Sequence, residues 1–273
     1  MGKINIKNLE VFAKHGLFPE EKTLGQTFLI SAALYVDLRS AGKTDDLAKT
    51  IDYGEICSSV KAFVEGCTFS LIETVAERLA EKLLIENPAL QKIWLELKKP
   101  SVPIAMHLET VSVEMERSRH TAYLALGSNV GDREAHLRFA VRELEKVRGS
   151  RIVRLSTFID TKPYGNTEQG DFLNGCLELE TLLAPLELLE LLSRIENKAG
   201  RERGERWGPR TLDLDVILYD DLVMSSDTLR IPHPEMHKRE FVLIPLAEIA
   251  PNKLHPTFFK TISELLGELG NGS

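Results

Sequence analysis

Cysteine is scarce in this chain of 273 residues: Cys57, Cys67 and Cys176 lie in apolar surroundings, an odd count with no Cys-x-x-Cys spacing. A disulfide framework or thiolate zinc site is thereby disfavoured, and all three read as reduced core residues of a cytoplasmic protein. Long apolar runs are also missing. Even the stretch from Leu182 to Leu192 is broken by Glu187 and Glu190, short of the roughly 18 apolar residues that a membrane span needs. The opening residues, Met1 to Ile6, carry neither an apolar signal core nor the Ser or Thr of a myristoylation site, so a soluble, untargeted protein is expected. Positive charge is in deficit: 34 Lys and Arg against 41 Asp and Glu leave a net charge of −7, which disfavours a dedicated nucleic-acid binder. Neither a Gly-x-x-x-x-Gly-Lys-[Ser/Thr] loop nor a Gly-x-Gly-x-x-Gly fingerprint occurs, which argues against a P-loop or dinucleotide fold.

What is present is ordinary globular usage, 43% hydrophobic and 27% charged. At about 150 residues per domain the length suggests two domains. Ile4 to Phe12 and Phe28 to Leu38 alternate as strands, and Ser40 to Asp46 reads as a loop. Two amphipathic helices follow, carrying Ile56, Val60 and Val64 and then Leu71, Ile72, Val75, Leu79 and Leu83. Ile93 to Leu97 and Val111 to Met115 return to strand periodicity. The resulting ββααββ unit would be mostly antiparallel, with its helices on one face.

The polar stretch Glu116 to His120 is the expected boundary, giving domains 1–118 and 119–273. Beyond it the pattern restarts: a strand from Thr121, a glycine-bearing turn over 127–132, a helix, strands at 151–159 and 171–182, a helix opened by Pro185 and closed by Gly200, and a strand at 212–219. That alternation predicts an α/β or α+β sandwich unlike the first unit.

The strongest chemical signal is Arg201-Glu-Arg-Gly-Glu-Arg-Trp-Gly-Pro-Arg210 running into Thr211-Leu-Asp-Leu-Asp215. Alternate strand residues share a face, so Asp213 and Asp215 project together with Cα atoms about 6.5 to 7 Å apart. Two carboxylates held so close call for cations, and oxygen ligands suit Mg²⁺. Arginines beside such a pair are what polyphosphate transfer requires, since its catalysis is mostly positioning and charge neutralisation. An isolated Asp-x-Asp also fits a half-solvated strand; the four arginines favour the chemical reading.

At these residues the chain resembles 6-hydroxymethyl-7,8-dihydropterin pyrophosphokinase from Thr121 onward, supported by Ala125-Leu-Gly-Ser-Asn129, Phe172-Leu-Asn174 and Ile231-Pro-His-Pro-Glu-Met236 with Arg239 and Phe241. The resemblance implies a ferredoxin-like three-layer fold and pyrophosphoryl transfer from ATP to a pterin alcohol with release of AMP. It implies two Mg²⁺ on Asp213 and Asp215, and neutralisation of the transferring group by Arg201 and Arg210. Arg203 and Trp207 would ride on a loop that closes over the site, Trp207 contacting the pterin. Glu196, Arg203, His233 and Arg239 would serve ATP; Phe172 and Phe241 would sandwich the pterin while Asn174 reads its polar edge. Phe172 and Phe241 on their own also read as core aromatics, and His233 between two prolines as a turn residue. Pro234 departs from relatives that have an aromatic there.

In the first half, the loop Lys14-His-Gly-Leu-Phe-Pro-Glu-Glu-Lys-Thr-Leu-Gly-Gln26, Asp52-Tyr-Gly-Glu55, Ser70-Leu-Ile-Glu73 and Leu95-Glu-Leu-Lys-Lys-Pro100 each have a structural reading: Glu21 as a loop charge, Lys99 as a solvated strand end, Ser70 to Glu73 as a capping box. Together they resemble dihydroneopterin aldolase over roughly residues 3 to 117. That resemblance implies a tunnelling-fold unit closing into an oligomeric barrel, a tetramer or octamer. Glu73 and Ile72 would hold the pterin, Lys99 with Glu21 would relay protons, and Tyr53 would come from a neighbouring subunit. A related pterin synthase binds zinc through three histidines, but His15 and His107 stand alone, so no cofactor is expected there. The combined expectation is a bifunctional enzyme of folate biosynthesis acting on small pterins and ATP, with no nucleic-acid or membrane partner. The alternatives for the first domain are an oligomerisation scaffold or a dihydroneopterin epimerase.

Overall fold

A computed structural model describes residues 1–163, 169–200 and 210–270. The chain divides into two compact units, residues 1–119 and 120–273.

In the first unit, β1 (Gly2–Ala13), a short helix α1 (Pro19–Leu24), β2 (Gln26–Val36), α2 (Arg39–Thr44), α3 (Tyr53–Gly66), α4 (Ile72–Glu86), β3 (Lys92–Lys99) and β4 (Val111–Ser118) follow in order. The four strands form one sheet in sequence order, every neighbouring pair antiparallel. Helix α3 packs on β1, and α4 packs on β3 and β4. The inward stripe of β3 is Ile93, Leu95, Leu97 and then Lys99, all buried. A lysine thus occupies the last core-facing position of an apolar strand, so its charge needs a partner at hand.

Two short helices occupy stretches read as loops. In α1, Pro19 pre-sets the first turn, the Glu21 carboxylate accepts the Phe18 N–H at 3.0 Å, and Gly25 at φ 70° ends the helix. Helix α2 replaces part of the expected loop at 40–46, buries no residue and ends at Asp45 in the left-handed region, so it has no apolar stripe by which periodicity could reveal it. The expected capping box at Ser70 is not formed. Helix α4 begins from Leu71 without a side-chain cap, and the Ser70 hydroxyl instead accepts a bond from Lys22 at 3.0 Å. Glu73, released from that duty, is exposed on the first turn.

The second unit runs β5 (His120–Ser128), α5 (Arg133–Glu145), β6 (Arg151–Leu155), β7 (Ile159–Thr161), β8 (Phe172–Thr181), α6 (Pro185–Lys198), β9 (Asp213–Tyr219), a small hairpin β10 (Met224–Ser225) and β11 (Arg230–Ile231), then α7 (Glu240–Ile249) and α8 (Ile262–Gly270). The single strand expected over 151–159 is two, β6 and β7, both pairing with β8. The main sheet has order β6-β8-β5-β9, wholly antiparallel. On one face, Leu124, Leu126, Leu177 and Leu214 meet Leu137, Leu144, Leu188 and Leu192 of α5 and α6. On the other, Tyr123, Cys176 and Ile217 meet Val242, Leu246, Ile262 and Leu265 of α7 and α8. The sheet is therefore the middle of three layers, and a cavity opens where one end of β5, β8 and β9 meets the start of α7.

Candidate active sites

The cavity in the second unit has a volume of about 310 Å³. Its floor is set by strand register. Gly127 of β5 lies opposite Asn174 on β8 and Asp213 on β9, while Ala125 lies opposite Asp215. A Cβ at Gly127 would come within 2.9 Å of Asn174 Oδ1, so the missing side chain leaves room for the Asn174 amide. That amide is buried, and its Nδ2 donates to Thr161 Oγ1 at 2.6 Å.

Asp213 and Asp215 both line this cavity, as the two-residue period requires, with the intervening Leu214 buried in the core behind. Glu196 of α6 is not part of the lining. Its buried carboxylate accepts the Leu214 N–H at 2.8 Å, fastening edge strand β9 between its two aspartates. Arg210 Nη1 reaches Asp213 Oδ2 at 2.5 Å. Burial, and then the charge of Asp213, push the Asp215 carboxyl up to about 7 against the opposing pull of Arg239 and Arg210.

From α7 and the turn before it come Arg239, Phe241 and His233. The Arg239 Nε is buried with no hydrogen-bond acceptor among the described residues, and its guanidinium lies 5.7 Å from the centre of the Phe241 ring. An orphaned cationic donor lining a cavity wants an anionic ligand. His233 Nδ1 accepts the Glu235 N–H at 3.2 Å, so the neutral ring carries its proton on Nε2. Burial, assisted by Arg239, pushes this imidazole down to about 4, and it is neutral at physiological pH. Phe172 lines the cavity with Asn174, two residues further along β8. Pro234 is exposed.

A hard divalent cation suits this donor set. Two carboxylate-bearing residues share the cavity, and the raised pKa of Asp215 marks negative charge awaiting compensation. No group of three or more His, Cys, Asp or Glu side chains capable of holding a metal occurs among the described residues, so further ligands would have to come from a bound phosphate or water. Arg201, Arg203 and Trp207 lie outside the described residues.

In the first unit, Lys99 Nζ and Glu21 Oε1 form a buried ion pair, the two side chains only 11% and 7% exposed. Burial alone would raise the Glu21 carboxyl, but the bonds from Lys99 and the Phe18 N–H outweigh it and hold it below the usual carboxylate value. Gly16 makes the space: a Cβ there would lie 2.4 Å from the Glu21 carboxyl carbon. His15 anchors the same loop, its buried ring accepting the Phe69 N–H on Nδ1 at 3.1 Å and donating from Nε2 to Val64 O at 3.0 Å. Ile72 is buried at the α4 start, and Tyr53 is 63% exposed beside the Asp52 cap of α3.

Two protein-family models match the chain. One, described as 7,8-dihydro-6-hydroxymethylpterin-pyrophosphokinase, covers residues 123–251, and one described as dihydroneopterin aldolase covers residues 4–116. The 2-amino-4-hydroxy-6-hydroxymethyldihydropteridine pyrophosphokinase of Bacillus subtilis (strain 168) is 49% identical over 128 residues, which are 47% of this chain and 77% of that protein. A crystal structure of Escherichia coli dihydroneopterin aldolase in complex with neopterin is 32% identical, covering 43% of this chain and 100% of that one, with a TM-score of 0.41. The chain belongs to both families, one in each half. Folic acid synthesis protein FOL1 of Dictyostelium discoideum is 32% identical over 302 residues, spanning 100% of this chain but only 45% of the longer protein. The chain therefore spans less than half the length of that curated relative. Within the pyrophosphokinase half, Ser128 and Asn129 serve in a way that their place in a family motif did not reveal: both bond the main chain at 210–211. Within the aldolase half, the buried His15 contact was equally hidden, its only trace being a histidine followed by glycine after an alternating strand.

Proposed function

We propose that the protein is a bifunctional enzyme of folate biosynthesis, a dihydroneopterin aldolase over residues 1–118 and a pyrophosphokinase over 119–273. The transfer reading is carried by the shared cavity of Asp213, Asp215, Arg210 and Arg239, whose buried Nε lacks a partner among the described residues. The pterin hydroxyl attacks the β-phosphorus of ATP and releases its proton to solvent, the bond to the α-phosphate oxygen breaks, and AMP leaves. Asp213 and Asp215 would hold two magnesium ions, which when bound would neutralise charge on the triphosphate. Arg210, with Arg201, offsets charge on the transferring group. Arg239, His233 and Arg203 serve the nucleotide, with Glu196 acting nearby. Phe172 and Phe241 stack on the pterin, Trp207 contributes to holding it, and Asn174 reads its edge.

For the first half, the supporting observation is the buried Lys99–Glu21 pair. A cation and a carboxylate placed together can pass a proton to and from the substrate hydroxyl through water. As that proton leaves, the carbon–carbon bond of 7,8-dihydroneopterin breaks, glycolaldehyde departs, and the electron pair enters the dihydropterin C=N bond. No Schiff base is needed, because that bond is already the electron sink. Glu73 and Ile72 hold the pterin, and Tyr53 from a neighbouring subunit assists reprotonation at the cleaved carbon. The exposed Tyr53 and the open sheet edges β1 and β4 fit a cytoplasmic homo-oligomer, a tetramer or octamer. A coupled assay starting from dihydroneopterin, ATP and Mg²⁺ tests both steps. Glycolaldehyde and AMP should both accumulate; AMP from added hydroxymethyldihydropterin alone would leave a scaffold, and an isomerised side chain without glycolaldehyde would leave an epimerase.

A further inference from the structure

We propose that Asn129 is a positioning residue of the pyrophosphokinase site, fixing the main chain of Arg210 and the side chain of Gln169 so that both keep their places in the cavity wall. The inference rests on the transfer reading above. Asn129 lies one residue beyond β5. Its Oδ1 accepts the Arg210 N–H at 2.7 Å, its own N–H donates to the Arg210 carbonyl at 3.1 Å, and its Nδ2 donates to Gln169 Oε1 at 3.0 Å. The fully buried neighbour Ser128 adds a bond from its hydroxyl to Thr211 O at 2.6 Å.

An amide is suited to this place because it carries an acceptor and a donor at one fork; aspartate offers only acceptors and alanine neither. Arg210 and Gln169 both line the cavity, and Arg210 already contacts Asp213. With its main chain held from both sides, the arginine meets an incoming anion without first being ordered, and such preorganisation is worth affinity and rate together. Asn129 therefore acts through Arg210 and does not itself touch the reacting groups.

The test uses the full chain, measuring MgATP affinity by calorimetry and AMP formation with hydroxymethyldihydropterin. N129A should weaken MgATP binding and lower kcat about tenfold each, with the thermal midpoint within a few degrees of wild type. N129D, which keeps the acceptor for the Arg210 N–H, should recover most of the nucleotide affinity. In an R210A background, N129A should add less than about threefold, because coupled residues are not additive. Full affinity in N129A, equal losses with and without Arg210, or an N129D no better than N129A would each overturn the proposal. Should N129A not fold, hydrogen exchange of the wild-type Arg210 amide decides: protection supports the clamp and exchange at the free rate refutes it. A wild type that binds MgATP without forming AMP would defeat the transfer reading, while the affinity comparison would still judge Asn129.

Discussion

Glu21 and Lys99, 78 positions apart, meet as a buried ion pair between the first turn after β1 and the last core-facing position of β3. Removing one partner leaves the other charge uncompensated. K99A is expected to destabilise the first unit by about 3 to 5 kcal/mol and to abolish glycolaldehyde release, whereas K99R should retain more of the stability than of the activity. Thermal melts beside the aldolase assay check this; an undiminished rate in K99A would remove the proton-relay role.

Acid should unfold the first unit in two stages. His15 has its pKa lowered mainly by burial, so below 6.5 the unfolded state takes up the proton more readily and stability falls. Glu21 has its pKa lowered as well, so its contribution, complete above 4.5, is lost as pH falls toward and through the folded value. Denaturant titrations across pH 3 to 8 should show both phases, with H15Q flattening the upper and E21Q the lower.

For the paired aspartates, D213N and D215N should each cut AMP formation by about 10² to 10³, the scale of losing a charge aimed at the transition state. Pterin binding, which the proposed function assigns to Asn174 and the aromatic rings, should stay within about threefold. Retained transfer activity in either variant would rule out a shared metal role.

Gly127 supplies a subtler test. Its Cβ in G127A would press on Asn174 Oδ1 at 2.9 Å, forcing the amide to turn away from Thr161. Because the glycine lies in a strand without a positive φ, the backbone should tolerate alanine, and the cost falls on the displaced amide. The expected result is a KM for pterin raised about tenfold with the thermal midpoint within a few degrees of wild type, the tenfold change being about 1.4 kcal/mol. Equal KM values in G127A and wild type would show that Asn174 does not read the pterin.

Much of this was legible from local pattern. Alternation placed Asp213 and Asp215 on one face with Leu214 behind them, and Ile93, Leu95 and Leu97 on the buried face of β3. Where periodicity was weak the reading slipped: α2 buries nothing, and the spelling of a capping box at Ser70 was overruled when Lys22 took the hydroxyl. Arg201, Arg203 and Trp207 were named from a motif and lie outside the described residues.

By itself, the sequence determined the two-part organisation of strand and helix types and which side chains share a face, because those depend on backbone periods of two and 3.6 residues. Only the tertiary structure decided that Lys99 finds Glu21, that Arg239 before α7 and Phe241 within it face the same cavity as Phe172, and that Asn129 holds Arg210. Such meetings span tens of residues and follow from strand order and register, which no short stretch of residues specifies.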